Sequence, residues 1–194
     1  MHAAHQRNQA GTSWIAKAVV FALAATLASV LAGWVLGFAG EAISFNARVA
    51  VASLLAVIAI GIGALELGPR PPRLLQWDGE TPQRWMNAGA LRWASLNGAA
   101  LGIGATSRIG FWLWYAIPCS AFLLGDPLLG ALLYGIYGCV RGWSVWAFLL
   151  LPRRLGIGGD AFGVWLVTHG EWSRLVAATQ LLAMGIAVAI AIGL

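Results

Sequence analysis

Five uninterrupted apolar runs decide what this chain can fold into. They cover residues 14–39, 47–67, 96–124, 127–151 and 175–194. A helix rises 1.5 Å per residue and bilayer hydrocarbon is roughly 30 Å thick, so about 20 residues cross it once. Each run is long enough. A transmembrane barrel would show segments of about ten residues that alternate apolar and polar. The expected class is an all-α integral membrane protein, one domain over residues 1–194 with about five transmembrane helices. Composition agrees, at 60% hydrophobic and 10% charged. A soluble domain carries roughly a quarter charged residues, so too few are present here to cover a water-facing surface.

The first run exceeds the apolar core of a secretory signal, roughly 7–15 residues. No small-x-small cleavage site follows it, and it reads as a retained helix. The third run, about 29 residues, would measure about 44 Å as one helix. Pro118 and the glycines Gly98, Gly102, Gly104 and Gly110 can absorb the excess by kinking, tilting or unwinding it.

Two hydrophilic connections remain, 68–95 and 152–174. The first opens Gly-Pro-Arg-Pro-Pro-Arg, which prolines keep out of a helix by fixing φ and removing donors. Within it, Thr81-Pro82 has the pattern of an N-cap followed by proline at the first helical position. The second holds an apolar piece, 161–167, too short to span and suited to the interface.

Net charge is +5. The basic residues flank apolar runs, so they read as topology signals facing lipid headgroups, not as a nucleic-acid footprint. With a cytoplasmic N-terminus, Arg7, Lys17, Arg70, Arg73, Arg84, Arg92, Arg153, Arg154 and Arg174 fall inside. Only Arg48 falls outside. That is a strong positive-inside bias, and five spans then put the C-terminus outside. Trp14, Trp93, Trp143, Trp146 and Trp172 lie at or near helix ends, as aromatic-belt residues do. Rows of glycine at helical spacing, Gly33, Gly37 and Gly40, then Gly130, Gly135, Gly138 and Gly142, allow close backbone approach. They serve either packing within one chain or an oligomer face.

Charges within the spans are the candidate functional feature. An ionisable group in a membrane span is costly and rare. Arg108 lies about 16 residues below the turn at Gly125-Asp126, roughly 24 Å. Arg141 lies about 15 residues below it on the next span, roughly 22 Å. Glu66 is near the inner end of the second span. All three fall in the inner third of the bilayer, and Thr106 and Ser107 add hydroxyls beside Arg108. Three arrangements satisfy such charges. Both arginines snorkel to the headgroups; Glu66 pairs with Arg108 or Arg141; or the cluster forms a polar pocket, open to the cytoplasm, that offers two guanidiniums to an anion.

The two cysteines, Cys119 and Cys139, lie within spans at depths about 10 Å apart. A disulfide needs Cα atoms within about 7 Å, so a pair is not expected. Buried small apolar residues are one reading and redox-active thiols, Cys119 beside the Pro118 kink above all, the other. Three histidines and seven scattered carboxylates give no conventional catalytic constellation. No metal site and no cofactor is expected.

A family resemblance adds to this reading. Trp34-Val-Leu-Gly-Phe-Ala-Gly40, followed by 48–68, resembles the second and third spans of the CcdA/DsbD-type membrane thiol–disulfide transporters. Asn97-Gly-Ala-Ala-Leu-Gly-Ile-Gly-Ala-Thr-Ser-Arg-Ile-Gly110 resembles their fourth span, with Ser107-Arg108 where that family carries Pro-Cys. Asp126-Pro-Leu-Leu-Gly-Ala-Leu-Leu-Tyr-Gly-Ile-Tyr-Gly138 resembles the start of the fifth, and 174–194 the sixth. The likeness implies two inverted three-helix repeats with the first span absent, which also places the N-terminus in the cytoplasm. It implies a bacterial plasma membrane and a cytochrome-maturation or thiol-redox setting. Disulfide exchange requires a thiolate, so Arg108 at the cysteine position removes the shuttle chemistry.

The function expected from the likeness is a non-shuttling accessory subunit that binds a membrane or redox partner, with an oligomer also open. The alternative is a small transporter with a polar site around Arg108 and Arg141. The lipid bilayer is the expected environment and nucleic acid is not an expected partner. In a Cys119→Ser/Cys139→Ser background, Asp126→Cys should react with an impermeant maleimide on intact cells. Arg73→Cys should react only after permeabilisation. The reverse pattern would overturn the orientation.

Overall fold

A computed structural model describes residues 13–69, 72–73, 85, 89–104, 111–155, 164, 168 and 170–193. Its elements are helices α1 (Trp14–Glu41), α2 (Phe45–Leu67), α3 (Ala90–Ile103), a 3-10 turn (Trp112–Tyr115), α4 (Ala116–Leu124), α5 (Pro127–Leu155) and α6 (Gly170–Ile192). Among the described residues the fold is all-helical. The helices α1, α2 and α6 are each long and apolar enough to cross a membrane.

Boundaries follow local chemistry. Ser13 Oγ accepts from the Ile15 N–H and Ser44 Oγ from the Ala47 N–H, so a serine caps each of the first two helices. Asp126 Oδ1 accepts from the N–H groups of Leu128 and Leu129 at 2.8 and 3.0 Å. Pro127 fills the first position of α5, where its missing N–H costs nothing. Gly125 holds a φ of 54°, a left-handed stop that turns α4 into α5 within two residues.

The expected third span is in two pieces. Helix α3 starts at Ala90, earlier than expected, and stops at Gly104, whose φ is 79°. Regular structure resumes at Trp112 and runs through α4. The excess length of the run is thus taken up by breaking the helix. The loop expected over 68–95 is shortened by α3. The loop expected over 152–174 is narrowed from both ends, since α5 continues to Leu155 and α6 begins at Gly170. The Thr81-Pro82 cap lies outside the described residues, as does the 161–167 piece apart from Val164.

Packing is the reverse of a water-soluble core. The buried face of α1 is Ala18, Ala22, Ala25, Ser29, Gly33, Gly37 and Gly40, all small and three or four apart. Leu27, Leu31, Val35 and Phe38 of the same helix face outward. On α5, Gly130, Tyr134, Gly138 and Gly142 are buried, while Leu128, Leu132, Ile136 and Val140 are exposed. Lipid is as apolar as leucine, so large side chains gain little by turning inward. Close backbone contact is what holds such helices together.

The glycine rows are consumed inside the chain. A Cβ on Gly33 would stand 2.2 Å from the Gly130 carbonyl oxygen, and one on Gly37 2.3 Å from that of Asp126. Likewise Gly98 and Gly102 of α3 press on the carbonyls of Phe21 and Ala25. Of the two uses open to these rows, packing within one chain is the one observed. Helix α1 is thereby the centre of a group formed with α3, α4 and α5.

Helices α2 and α6 form a second group. Gly63 meets the Leu182 backbone, and Gly185 meets Ile60 and the Ala56 carbonyl. Although three residues join α1 to α2, the two helices diverge, and α2 meets the first group mainly through α4. Gly33→Leu should force α1 from α5 and lower stability in detergent by about 1–3 kcal/mol, the scale of overpacking. Gly61→Leu, at a site with open space around it, should leave the melting temperature within a degree or two.

Candidate functional site

The break after α3 is where the chain spends its internal polar groups. Ser29 is fully buried near the middle of α1. Its hydroxyl donates to the Gly102 carbonyl at 2.8 Å. Tyr134 of α5, 2% exposed, donates to the Ile103 carbonyl at 3.1 Å. The last carbonyls of a helix have no partner within it, and where they face the protein they need donors from neighbouring elements. These two hydroxyls are those donors. The left-handed glycine at 104 ends the helix, and the Trp114 indole lies where a Cβ on it would be.

Beside this end lies a second set of polar groups. The Trp114 Nε1–H donates to Tyr137 Oη at 2.7 Å. The Arg141 guanidinium donates to the same oxygen at 2.5 Å and lies 5.6 Å from the centre of the Tyr137 ring. Tyr137 packs edge-on to Tyr134. Positions 134, 137 and 141 are three and four apart and share one helix face. Because Tyr137 Oη accepts from two donors, its own proton is directed elsewhere. The group borders a cleft of about 640 Å³ lined also by Phe111, Leu113, Ala116, Ile117, Ser120, Leu133 and Met184.

Glu66 is apart from this cleft. It is 3% exposed, at the C-terminal end of α2. Its carboxyl group accepts the Trp112 backbone N–H, and its Oε2 has no hydrogen-bond partner among the described residues. Arg174 of α6 reaches the same helix end but donates to the Glu66 carbonyl oxygen, not the carboxylate. Its ion pair is with Glu171 at 2.9 Å. At the other end of α2, Arg48 donates to the Leu124 carbonyl of α4 at 3.0 Å.

Among the expected arrangements, a Glu66–Arg141 pair is not formed. Arg141 is folded onto Tyr137 by a hydrogen bond and a cation–π contact, and Glu66 sits against Trp112. Thr106, Ser107 and Arg108 lie outside the described residues. Both cysteines are free. Cys119 lines an apolar cavity of about 280 Å³ between α2, α4 and α6, and Cys139 is exposed on α5.

No known protein family, curated protein or solved structure matches this chain. The site therefore rests on its own geometry. Sequence reading missed Ser29, Tyr134, Tyr137 and Trp114. The signal for the tyrosines was present, since they lie on the Arg141 face at helical spacing. Ser29 carried a weaker one, a lone hydroxyl in a stripe of small residues.

Ser29→Ala and Tyr134→Phe each remove one donor from the broken helix. Each should lower thermal stability by about 1 kcal/mol, the usual scale for such bonds. The double variant should lose more than the sum, because both bonds hold the same helix end. Additive losses would separate the two bonds.

Proposed function

We propose that this protein is a small membrane carrier whose substrate site is the cleft at the broken third span, with Arg141, Tyr137 and Trp114 as its polar end. The observation that carries this reading is a helix that stops inside the bundle beside a donor cluster facing a cleft. Interrupted helices with polar groups at depth are how carriers build midplane sites. A guanidinium and a phenol proton together select an acceptor-rich, anionic group.

The accompanying topology is five spans in the cell membrane, with α1, α2, α3 to α4, α5 and α6 crossing in turn. The N-terminus is cytoplasmic and the C-terminus outside, in a bacterial plasma membrane. The charge bias of the loops supports this orientation.

A second reading is a non-shuttling accessory relative of the CcdA/DsbD-type transporters, holding a membrane or redox partner. It is favoured by the break itself, which falls in the segment that resembles that family's motif helix. The placement of Cys119 in an apolar cavity, with Cys139 on an outer face, supports a structural role for both thiols.

Uptake into proteoliposomes discriminates between the readings. The test anions are labelled acetate, benzoate and butyl phosphate. A carrier should take up at least one faster than empty vesicles. Arg141→Leu and Tyr137→Phe should cut that rate tenfold or more, with Arg92→Gln unchanged. Uptake no faster than in empty vesicles for all three anions and for dodecyl phosphate would overturn the carrier reading and favour the accessory one.

A further inference from the structure

The polar-ended cleft and the apolar cavity share a wall. Ala116, Ser120 and Met184 line both. One space is about 640 Å³ and ends in Arg141 and Tyr137; the other is about 280 Å³ and ends in the aliphatic face of α2. These sizes are close to those of small-molecule sites, roughly 300–1,000 Å³. Their chemistry is divided. The polar side chains are at one end, and beyond Ser120 the lining is aliphatic and aromatic apart from Cys119 and the Tyr115 hydroxyl.

Resting on the carrier reading, we propose that the substrate is a lipid-like amphiphile with an oxyanion head, drawn from the surrounding bilayer. Its head sits at Arg141 and Tyr137, and its chain passes Ser120 into the cavity between α2, α4 and α6. Three observations converge on this occupant. Arg141 has no carboxylate partner among the described residues, and a guanidinium on a cleft wall offers charge-assisted donors that suit an oxyanion. Tyr137 holds a proton ready to donate, because its oxygen already accepts twice. The divergence of α1 and α2 leaves the adjoining cavity without a helix to fill it. A chain moving from lipid into this cavity gains little hydrophobic energy, since both surroundings are apolar. Selectivity therefore comes from the head, and the cavity sets which chains fit behind it.

Cys119 lines the tail cavity and Cys139 faces outward, so the protein carries its own reporter and control. The full chain is placed in phosphatidylcholine nanodiscs and treated with N-phenylmaleimide, with alkylation of each cysteine read by peptide mass spectrometry. Dodecyl phosphate should slow alkylation of Cys119 at least fivefold and leave Cys139 unchanged. Dodecanol should protect neither. Arg141→Leu should abolish the protection and Arg141→Lys should keep part of it. Ala59→Phe, which narrows the cavity and leaves the head site intact, should also abolish it.

Equal slowing of both cysteines, protection by dodecanol, or protection that survives Arg141→Leu would each overturn the assignment. Butyl phosphate uptake without dodecyl phosphate protection would overturn the tail site and leave the carrier reading standing. Protection without uptake of any anion or of dodecyl phosphate would leave the amphiphile site and sink the carrier.

Discussion

Two hydroxyls bonded to two carbonyls hold the centre of this protein together. Ser29 and Tyr134 finish α3 by donating to the Gly102 and Ile103 carbonyls, which have no partner within their own helix. A chain without those donors would leave two carbonyl oxygens at the helix end to find other partners. With them, α3 can end at Gly104 while both of its last carbonyls stay paired. Trp114, Tyr137 and Arg141 can gather beside it only because the helix stops there.

The rest of the architecture supports that break by packing α1 between its neighbours. Its stripe of alanine, serine and glycine is engaged on both sides, by α3 and by α5. Residues small enough to bring backbones together make the contact directional as well as close, since each glycine fits only opposite a particular carbonyl. A shift of one turn would place Ser29 against the wrong oxygen. Helix register and the hydrogen bonds at the break are thus one constraint seen twice.

Much of this was legible in the amino-acid sequence. Hydropathy and length located the helices, and the surplus length of the third run with Gly104 in it anticipated a helix that bends or unwinds. What hydropathy misreads is partnership. Glu66 and Arg141 occupy similar depths and carry opposite formal charges, which makes a pair attractive on paper. In the fold, α2 and α5 belong to different groups, and each side chain finds a closer aromatic or backbone neighbour. Tyrosine is nearly silent on a hydropathy scale, so Tyr134 and Tyr137 drew no notice beside an arginine. Helix ends in the loops were displaced because α3 and α6 begin in polar stretches that suit a helix as well as a loop.

The arginine contacts at the two ends of α2 have a separate consequence. Arg48 and Arg174 both grip main-chain oxygens, at Leu124 and Glu66. A main-chain acceptor is present whatever residue stands at the position, so these tethers are indifferent to side-chain identity at 66 and 124. The carboxyl group of Glu66 is therefore left to a different contact, accepting the Trp112 backbone N–H ahead of α4. It occupies the costliest kind of place for such a group while the helix it belongs to is already fastened by its own backbone.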